Sequence, residues 1–244
     1  MVPIDDWLAG AQEHVRKHHR PLITLSYAQS LDGSISANRG SPTAISGPQA
    51  MRLTHELRAA HDAILVGIGT ILADNPRLTV RLAAGKNPQP VVLDSNLRFP
   101  SGANLLQGEI HPWIATSQPS AVQGTDLWTY QERASKLESM GARLLPLPAD
   151  GSGRVSLPAL LGRLVELGIY TLMIEGGVGV ITNFLAEHLV DQVVLTIAPI
   201  FLGGVPAIET QPISANERPV PLAALQNFES IRAGDDLIVW GRVK

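Results

Sequence analysis

The 244-residue chain contains no cysteine. That excludes disulfides, thiolate zinc centres and a cysteine nucleophile. It also lacks a strong charge of either sign. The formal net charge of −3 argues against a nucleic acid or an anionic membrane as partner, since both want a basic face. No apolar run approaches the ~18 residues of a membrane span. The start, Met1-Val2-Pro3-Ile4-Asp5-Asp6-Trp7, has no basic stretch leading into an apolar core, as a signal peptide would. The reading is a soluble, cytoplasmic protein. The seven histidines show no metal-ligand spacing, with His18 and His19 adjacent and His55 and His61 six residues apart, so no metal is expected. No serine sits in a Gly-x-Ser-x-Gly elbow, and a hydrolase has no visible nucleophile.

What the chain does have is an apolar run with an oddly polar exit. Residues 64–81 open as Ile64-Leu65-Val66, pass through Gly67 and Gly69, and then set out Thr70, Asp74, Leu78 and Arg81. Open α/β sheets build their ligand crevices at the carboxyl ends of strands in this way. A core has no use for the polar half. With 45% hydrophobic and 17% charged residues, the chain has ample material for a full core.

Strand-like and helical segments alternate along the sequence. Residues 6–19 carry Trp7, Leu8, Ala11 and Val15 at helical spacing, and residues 1–20 read as a helical extension ahead of one domain over 21–244. Residues 22–28 read as a strand, Asp32-Gly33 as a hairpin turn and 34–37 as the returning partner. Ser46 and Gln49 form a capping-box pattern for a helix carrying Met51, Leu53, Leu57 and Ala60. Strands follow at 64–66, 91–93, 113–116, 143–147, 171–174 and 192–197. Helices are expected over 131–140, after Ser156 with a Leu160, Leu161, Leu164 and Leu167 stripe, and over 181–188. Residues 228–233 and 236–243 alternate as a closing antiparallel hairpin. The pattern predicts an α/β fold with a mostly parallel sheet and an antiparallel C-terminal hairpin.

A second strand exit, Glu175-Gly176-Gly177-Val178-Gly179, places small residues and free backbone N–H groups at a helix N-terminus, which suits a phosphate. Glycines also serve tight turns, so Gly-Gly-x-Gly is a weak signal alone. Gly67-x-Gly69 is not a Rossmann loop: Leu72 occupies the third glycine's place, and Asp94 lies too far along for the usual ribose carboxylate. Arg58 and Arg81 suit phosphate recognition through their planar forks, although each alone also reads as a solvated surface residue. Glu175 directly follows Leu172-Met173-Ile174, where a carboxylate is costly unless paired or used.

Taken together, Leu25-Ser26-Tyr27-Ala28-Gln29-Ser30-Leu31-Asp32-Gly33, the helix ending at Arg58, residues 64–81, Ile174-Glu175-Gly176-Gly177 and Pro199-Ile200-Phe201-Leu202-Gly203-Gly204 resemble the pyrimidine reductases of riboflavin biosynthesis. The resemblance runs over about residues 21–243. It implies a three-layer, dihydrofolate-reductase-like fold, a homodimer, and NADPH as cofactor, with NADH the alternative. The reaction implied reduces the ribosyl group of a pyrimidine ribosylamine 5′-phosphate to ribityl. By the same resemblance Ala28, Thr70, Asp74, Ser95 and the loop Gly177, Val178, Gly179, Val180, Ile181, Thr182, Asn183 hold the cofactor. Arg58, Leu78, Arg81 and Glu175 hold the small phosphorylated substrate, with the arginines at its phosphate and Glu175 organising the proton step.

Relatives fused to a deaminase carry a lysine where this chain has Ser26, and a Ser-x-Trp where it has Pro42-Thr43-Ala44. The deaminase itself needs a Pro-Cys-x-x-Cys zinc motif, which a cysteine-free chain lacks. The expectation is therefore a stand-alone reductase acting on the 2,5-diamino substrate before deamination; the deaminated uracil substrate is the alternative. A reductase of another heterocycle and a non-catalytic nucleotide-binding module are the competing classes. The cation for a 2′-phosphate is unassigned, among Arg39, Lys86 and Arg98.

Overall fold

The computed structural model of the chain describes residues 2–41, 43–118, 127–209 and 221–244. The apolar runs become one nine-stranded sheet in the order β10-β11-β8-β1-β7-β3-β4-β5-β6. Its strands are β1 (Leu22–Ser30), β3 (Ala63–Gly67), β4 (Gln89–Leu93), β5 (Trp113–Ser117), β6 (Arg143–Leu147), β7 (Thr171–Ile174), β8 (Gln192–Ala198), β10 (Leu225–Ala233) and β11 (Asp236–Val243). From β8 through β6 neighbours are parallel; β11 and β10 are antiparallel additions. The mostly parallel sheet with an antiparallel C-terminal hairpin is thus as the sequence implies.

Helices cover both faces, as a parallel sheet requires. Alternate residues of each strand point to opposite layers. Ala63, Leu65, Leu172 and Ile174 meet α6 (Leu157–Glu166) and α7 (Val178–Ala186) on one side. On the other, Ile64 and Val66 pack with α4 (Ile68–Asp74) and α5 (Leu127–Ser139). Met173, Val194 and Trp240 meet Ala50 and Leu57 of α3 (Pro48–Ala60), with Val2, Ile4 and Trp7 of the N-terminal segment against them. That segment is two short helices, α1 (Ile4–Leu8) and α2 (Ala11–His18). Arg20 anchors its end by a two-pronged contact with Asp191, at 2.6 and 2.7 Å. No helix among the described residues is long and apolar enough to cross a membrane.

Three local expectations are corrected. Residues after Asp32-Gly33 do form a strand, β2 (Ser34–Ser36), but it pairs with β9 (Val205–Pro206) in a separate two-stranded sheet, not with β1. The reason is Asp32, whose carboxylate accepts from the Ser30 and Ser34 hydroxyls and from the N–H groups of Leu202 and Gly203. Helix α3 is capped by Gly47, whose N–H donates to Asp236 at 2.7 Å, not by Ser46. Helix α7 starts three residues early, because Gly177 in extended conformation serves as its N-cap.

The end of β7 is where the site begins. Its last residue, Ile174, pairs with Leu25 on one side and Leu65 on the other. Both neighbours run on past it, β1 to Ser30 and β3 to Gly67. The short strand cuts a notch in the carboxyl edge of the sheet. The chain also leaves the adjacent strands β7 and β3 in opposite directions, to β8 and to β4, and open sheets take ligands at such a switch point.

Two packing details carry predictions. A Cβ on Gly176 would lie 2.5 Å from Cβ of Val180, and one on Gly67 2.8 Å from its Cγ2, so these glycines exist to let α7 seat on the notch. Gly176→Ala is expected to cost about 1–3 kcal/mol in chemical denaturation, and Val180→Ala in that background to recover part of it. Buried His61 donates from Nδ1 to the Leu57 carbonyl at 2.7 Å and accepts at Nε2 from Thr24 at 2.9 Å. Only the neutral ring does both, and burial pushes its pKa from 6.5 to about 4. Its stability contribution is therefore whole above 6.5 and falls as the pH drops toward 4, by at most ~1.4 kcal/mol per pH unit. Denaturation between pH 7 and 5 should show this slope in the wild type and a shallower one in His61→Gln.

Candidate active site

A cleft of about 820 Å³ fills the notch and runs along the carboxyl edge. Ser26, Tyr27 and Ala28 of β1 form one wall where β7 no longer covers them, and Glu175, Gly176 and Gly177 form the floor. Gly67, Ile68, Gly69 and Thr70 follow from the end of β3, then Leu93, Ser95 and Asn96 from the end of β4. The small sheet of β2 and β9 supplies Ile35, Ser36 and Val205 as the opposite lip. The Asp32 clasp fixes that lip, and hydrogen bonds from Ser30, the Leu202 N–H and Ser34 hold its carboxyl well below the usual carboxylate range.

The centre of the floor is an ion pair. Arg58, in the last turn of α3, donates from Nε and Nη2 to the two Glu175 oxygens at 2.7 and 2.6 Å. Its Nη1 donates to the Thr79 carbonyl at 3.2 Å. Both side chains are largely buried, 11% and 17% exposed, yet both line the cleft. A buried carboxylate after an apolar strand demands this partner. Arg58 is thus a strut for Glu175, with three of its donors spent inside the protein, and it lines the cleft beside it.

Beside this pair the chain presents free donors. Thr70 Oγ1 lies 3.6 Å from where a Cβ of Gly177 would be, so the starts of α4 and α7 face each other. At the start of α7 the N–H groups of Val180 and Ile181 are taken by the Gly177 carbonyl, leaving those of Val178 and Gly179 toward the opening. Nothing lies within 4 Å of a Cβ position on Gly69 or Gly179; a ligand has room to approach the backbone there. Backbone donors at a helix start suit an anion by geometry and by dipole.

Of the residues named from sequence, Ala28, Arg58, Thr70, Asp74, Ser95, Glu175, Gly177, Val178, Gly179, Val180 and Asn183 line this cleft. Burial pushes the Asp74 carboxyl above its ordinary value. Four others are elsewhere. Ile181 and Thr182 are fully covered on the core side of α7, and Thr182 Oγ1 accepts from the Glu209 N–H at 2.9 Å. Leu78 is buried in the layer of α4 and α5, held at a φ of +52°. Arg81 sits behind Arg58: its N–H donates to His55 Nδ1 at 2.9 Å and its Nη1 to Thr79 Oγ1 at 2.7 Å. It opens onto a separate groove with Arg52, Glu56 and Leu82. Apolar packing claims the first three, and the turn after α4 carries Arg81 past the cleft.

The sequence reading assigns no role to Ser26, Tyr27, Thr54 and Arg154 in the cleft wall; they lie on three separate segments, and no spacing links them. Burial raises the Tyr27 hydroxyl's pKa. Of the three cations considered for a 2′-phosphate, Arg39 and Arg98 line the cleft and Lys86 does not.

Comparison with known proteins gives the family and the fold. The chain is 37% identical over 228 residues to the 2,5-diamino-6-ribosylamino-4(3H)-pyrimidinone 5′-phosphate reductase of Methanothermobacter thermautotrophicus, over 92% of this chain and 99% of that protein. The solved riboflavin biosynthesis reductase of Saccharomyces cerevisiae shares the fold, with a TM-score of 0.70 at 24% identity over 99% of both chains. A Thermotoga maritima diaminohydroxyphosphoribosylaminopyrimidine deaminase/5-amino-6-(5-phosphoribosylamino)uracil reductase aligns with a TM-score of 0.73 and 25% identity, over 96% of this chain but only 60% of that one. The RibD C-terminal domain family matches residues 21–239, and the chain belongs to that family.

Proposed function

We propose that this protein is an NADPH-dependent reductase that converts the ribosyl group of a ribosylaminopyrimidine 5′-phosphate to ribityl, acting on the 2,5-diaminopyrimidinone. The observation that carries this reading is the end-to-end match to a reductase named for that substrate, with 99% of its length covered. The cofactor lies along Ala28, Thr70, Asp74, Ser95 and the start of α7, and the substrate at the Arg58–Glu175 end. The deaminated uracil is the second reading, favoured by the name of the Thermotoga protein. Residues 21–244 act as one reductase domain, with 1–20 as its extension.

Bound reduced nicotinamide supplies the hydride, so the chain's task is alignment. Thr70 and the free N–H groups of Val178 and Gly179 hold phosphate oxygens. Gly69 and Gly179 leave space for close approach. Arg58 fixes both oxygens of Glu175, whose remaining lone pairs accept from substrate N–H or O–H groups. The sugar ring opens as C1′ is reduced, and its oxygen needs a proton. Glu175 orients a water for that step.

With the diamino and the deaminated substrate in parallel, loss of reduced-nicotinamide absorbance should show a higher kcat/KM for the diamino form. Binding without oxidation of either substrate would instead make the chain a nucleotide-binding module. Glu175→Gln should lower kcat at least ~10-fold while leaving cofactor affinity unchanged, and undiminished turnover would remove Glu175 from the mechanism.

A further inference from the structure

Arg58 rests on a carbonyl whose own position another residue fixes. We propose that His55 of α3 is a positioning residue for the reaction. By gripping the main chain at Arg81 it holds the Thr79 carbonyl under Arg58, and so sets the angle at which Glu175 meets the substrate. The inference rests on the reductase reading above, in which Glu175 faces the reacting sugar.

The first argument is strain. Leu78 is buried and held at a φ of +52°, a left-handed conformation that a residue with a Cβ keeps only where its surroundings impose it. The next three residues carry the restraint, each giving a main-chain group to a side chain elsewhere. The Thr79 carbonyl accepts from Arg58 Nη1 at 3.2 Å, the Val80 N–H donates to Asn87 Oδ1 at 2.7 Å, and the Arg81 N–H donates to His55 Nδ1 at 2.9 Å. Two of these three pins come from α3, three residues apart and therefore on one face of the helix. Without the pin at Arg81 the turn relaxes toward ordinary φ values, and the Thr79 carbonyl moves with it. Arg58 then keeps Glu175 but loses the contact that orients its plane.

The second argument is the ring itself. Because Nδ1 accepts, the ring is neutral and its proton sits on Nε2. His55 is 1% exposed, and Nε2 has no hydrogen-bond partner among the described residues. A buried donor left unpaired works against stability, so packing alone does not account for a histidine here. Its acceptor does.

The charged groups set around the ring are Arg58 of α3, Arg81 of the segment after α4 and Glu175 of the β7 exit. Burial, then Arg58 and Arg81, hold its pKa below 6.5, against the pull of Glu175. Above 6.5 the ring is neutral and the pin is whole. As the pH falls further a proton arrives on Nδ1, the Arg81 N–H loses its acceptor, and a third positive charge stands beside two arginines.

The test is steady-state kinetics across the range from pH 8 to pH 5 for the wild type, His55→Asn and His55→Leu. Asparagine places an amide oxygen where Nδ1 stands and does not titrate. It should keep kcat within about threefold of the wild type at the alkaline end and show a shallower fall below 6.5. Leucine removes the acceptor, and kcat should drop ~10-fold across the range. The KM for the cofactor should stay unchanged in both, because the backbone donors at the start of α7 are untouched. A leucine variant as fast as the wild type, an asparagine variant as slow as the leucine one, or equal acid limbs in the wild type and His55→Asn overturns the inference. Should His55→Leu not fold, the acid limb of His55→Asn decides alone. If the wild type turns over and the variants match it, only this inference fails. If the wild type oxidises no reduced nicotinamide with either pyrimidine, the reductase reading fails and takes this inference with it.

Discussion

The pairing of Arg58 with Glu175 is the constraint on which the rest of this site depends. A four-residue strand, every residue of it buried, ends against a carboxylate that water scarcely reaches. Such a charge is tolerable only with a partner of matched geometry, and the guanidinium fork supplies two parallel hydrogen bonds. Because Arg58 belongs to α3 and Glu175 to the exit of β7, the pair locks a helix of one layer to the floor of the cleft. Through Nη1 it also holds the Thr79 carbonyl, and with it the segment after α4. Glu175 is left as a fixed acceptor facing the cleft.

The shape of the cleft follows from strand lengths. Had β7 been as long as β1, its side chains would have filled the notch. Stopping at Ile174 exposes Ser26, Tyr27 and Ala28, and lets Gly176 and Gly67 admit Val180 so that α7 begins at the floor. One end of the resulting groove presents a carboxylate acceptor, the middle presents backbone donors at a helix start, and the far end presents arginines.

Much of this was legible in the sequence. The buried strands, the Ser156 cap and the closing hairpin are local features, dictated by periodicity and turn chemistry. Glu175 stood out because a carboxylate so placed has few harmless explanations. The illegible parts were set by tertiary contacts. Arg58 and Arg81 look alike as single letters, and only the fold turns one into a buried strut and sends the other to a separate groove. Leu78, Ile181 and Thr182 sit within motif stretches, yet packing takes their side chains into the core. The partner of β2 was hidden because Asp32 reaches across about 170 residues to Leu202 and Gly203, a contact no local pattern encodes.

The central claim is that the cleft aligns a hydride donor with the ribosyl carbon of a pyrimidine substrate. Isotope transfer tests it most directly. The protein is incubated with the diaminopyrimidine ribosylamine phosphate and reduced cofactor deuterated on one or the other face of nicotinamide C4, and the product is read by mass spectrometry. The account predicts that one labelled face delivers a single deuterium to C1′ of the ribityl chain and the other delivers none. Product without deuterium from either face, or with hydrogen drawn from solvent at C1′, would contradict it.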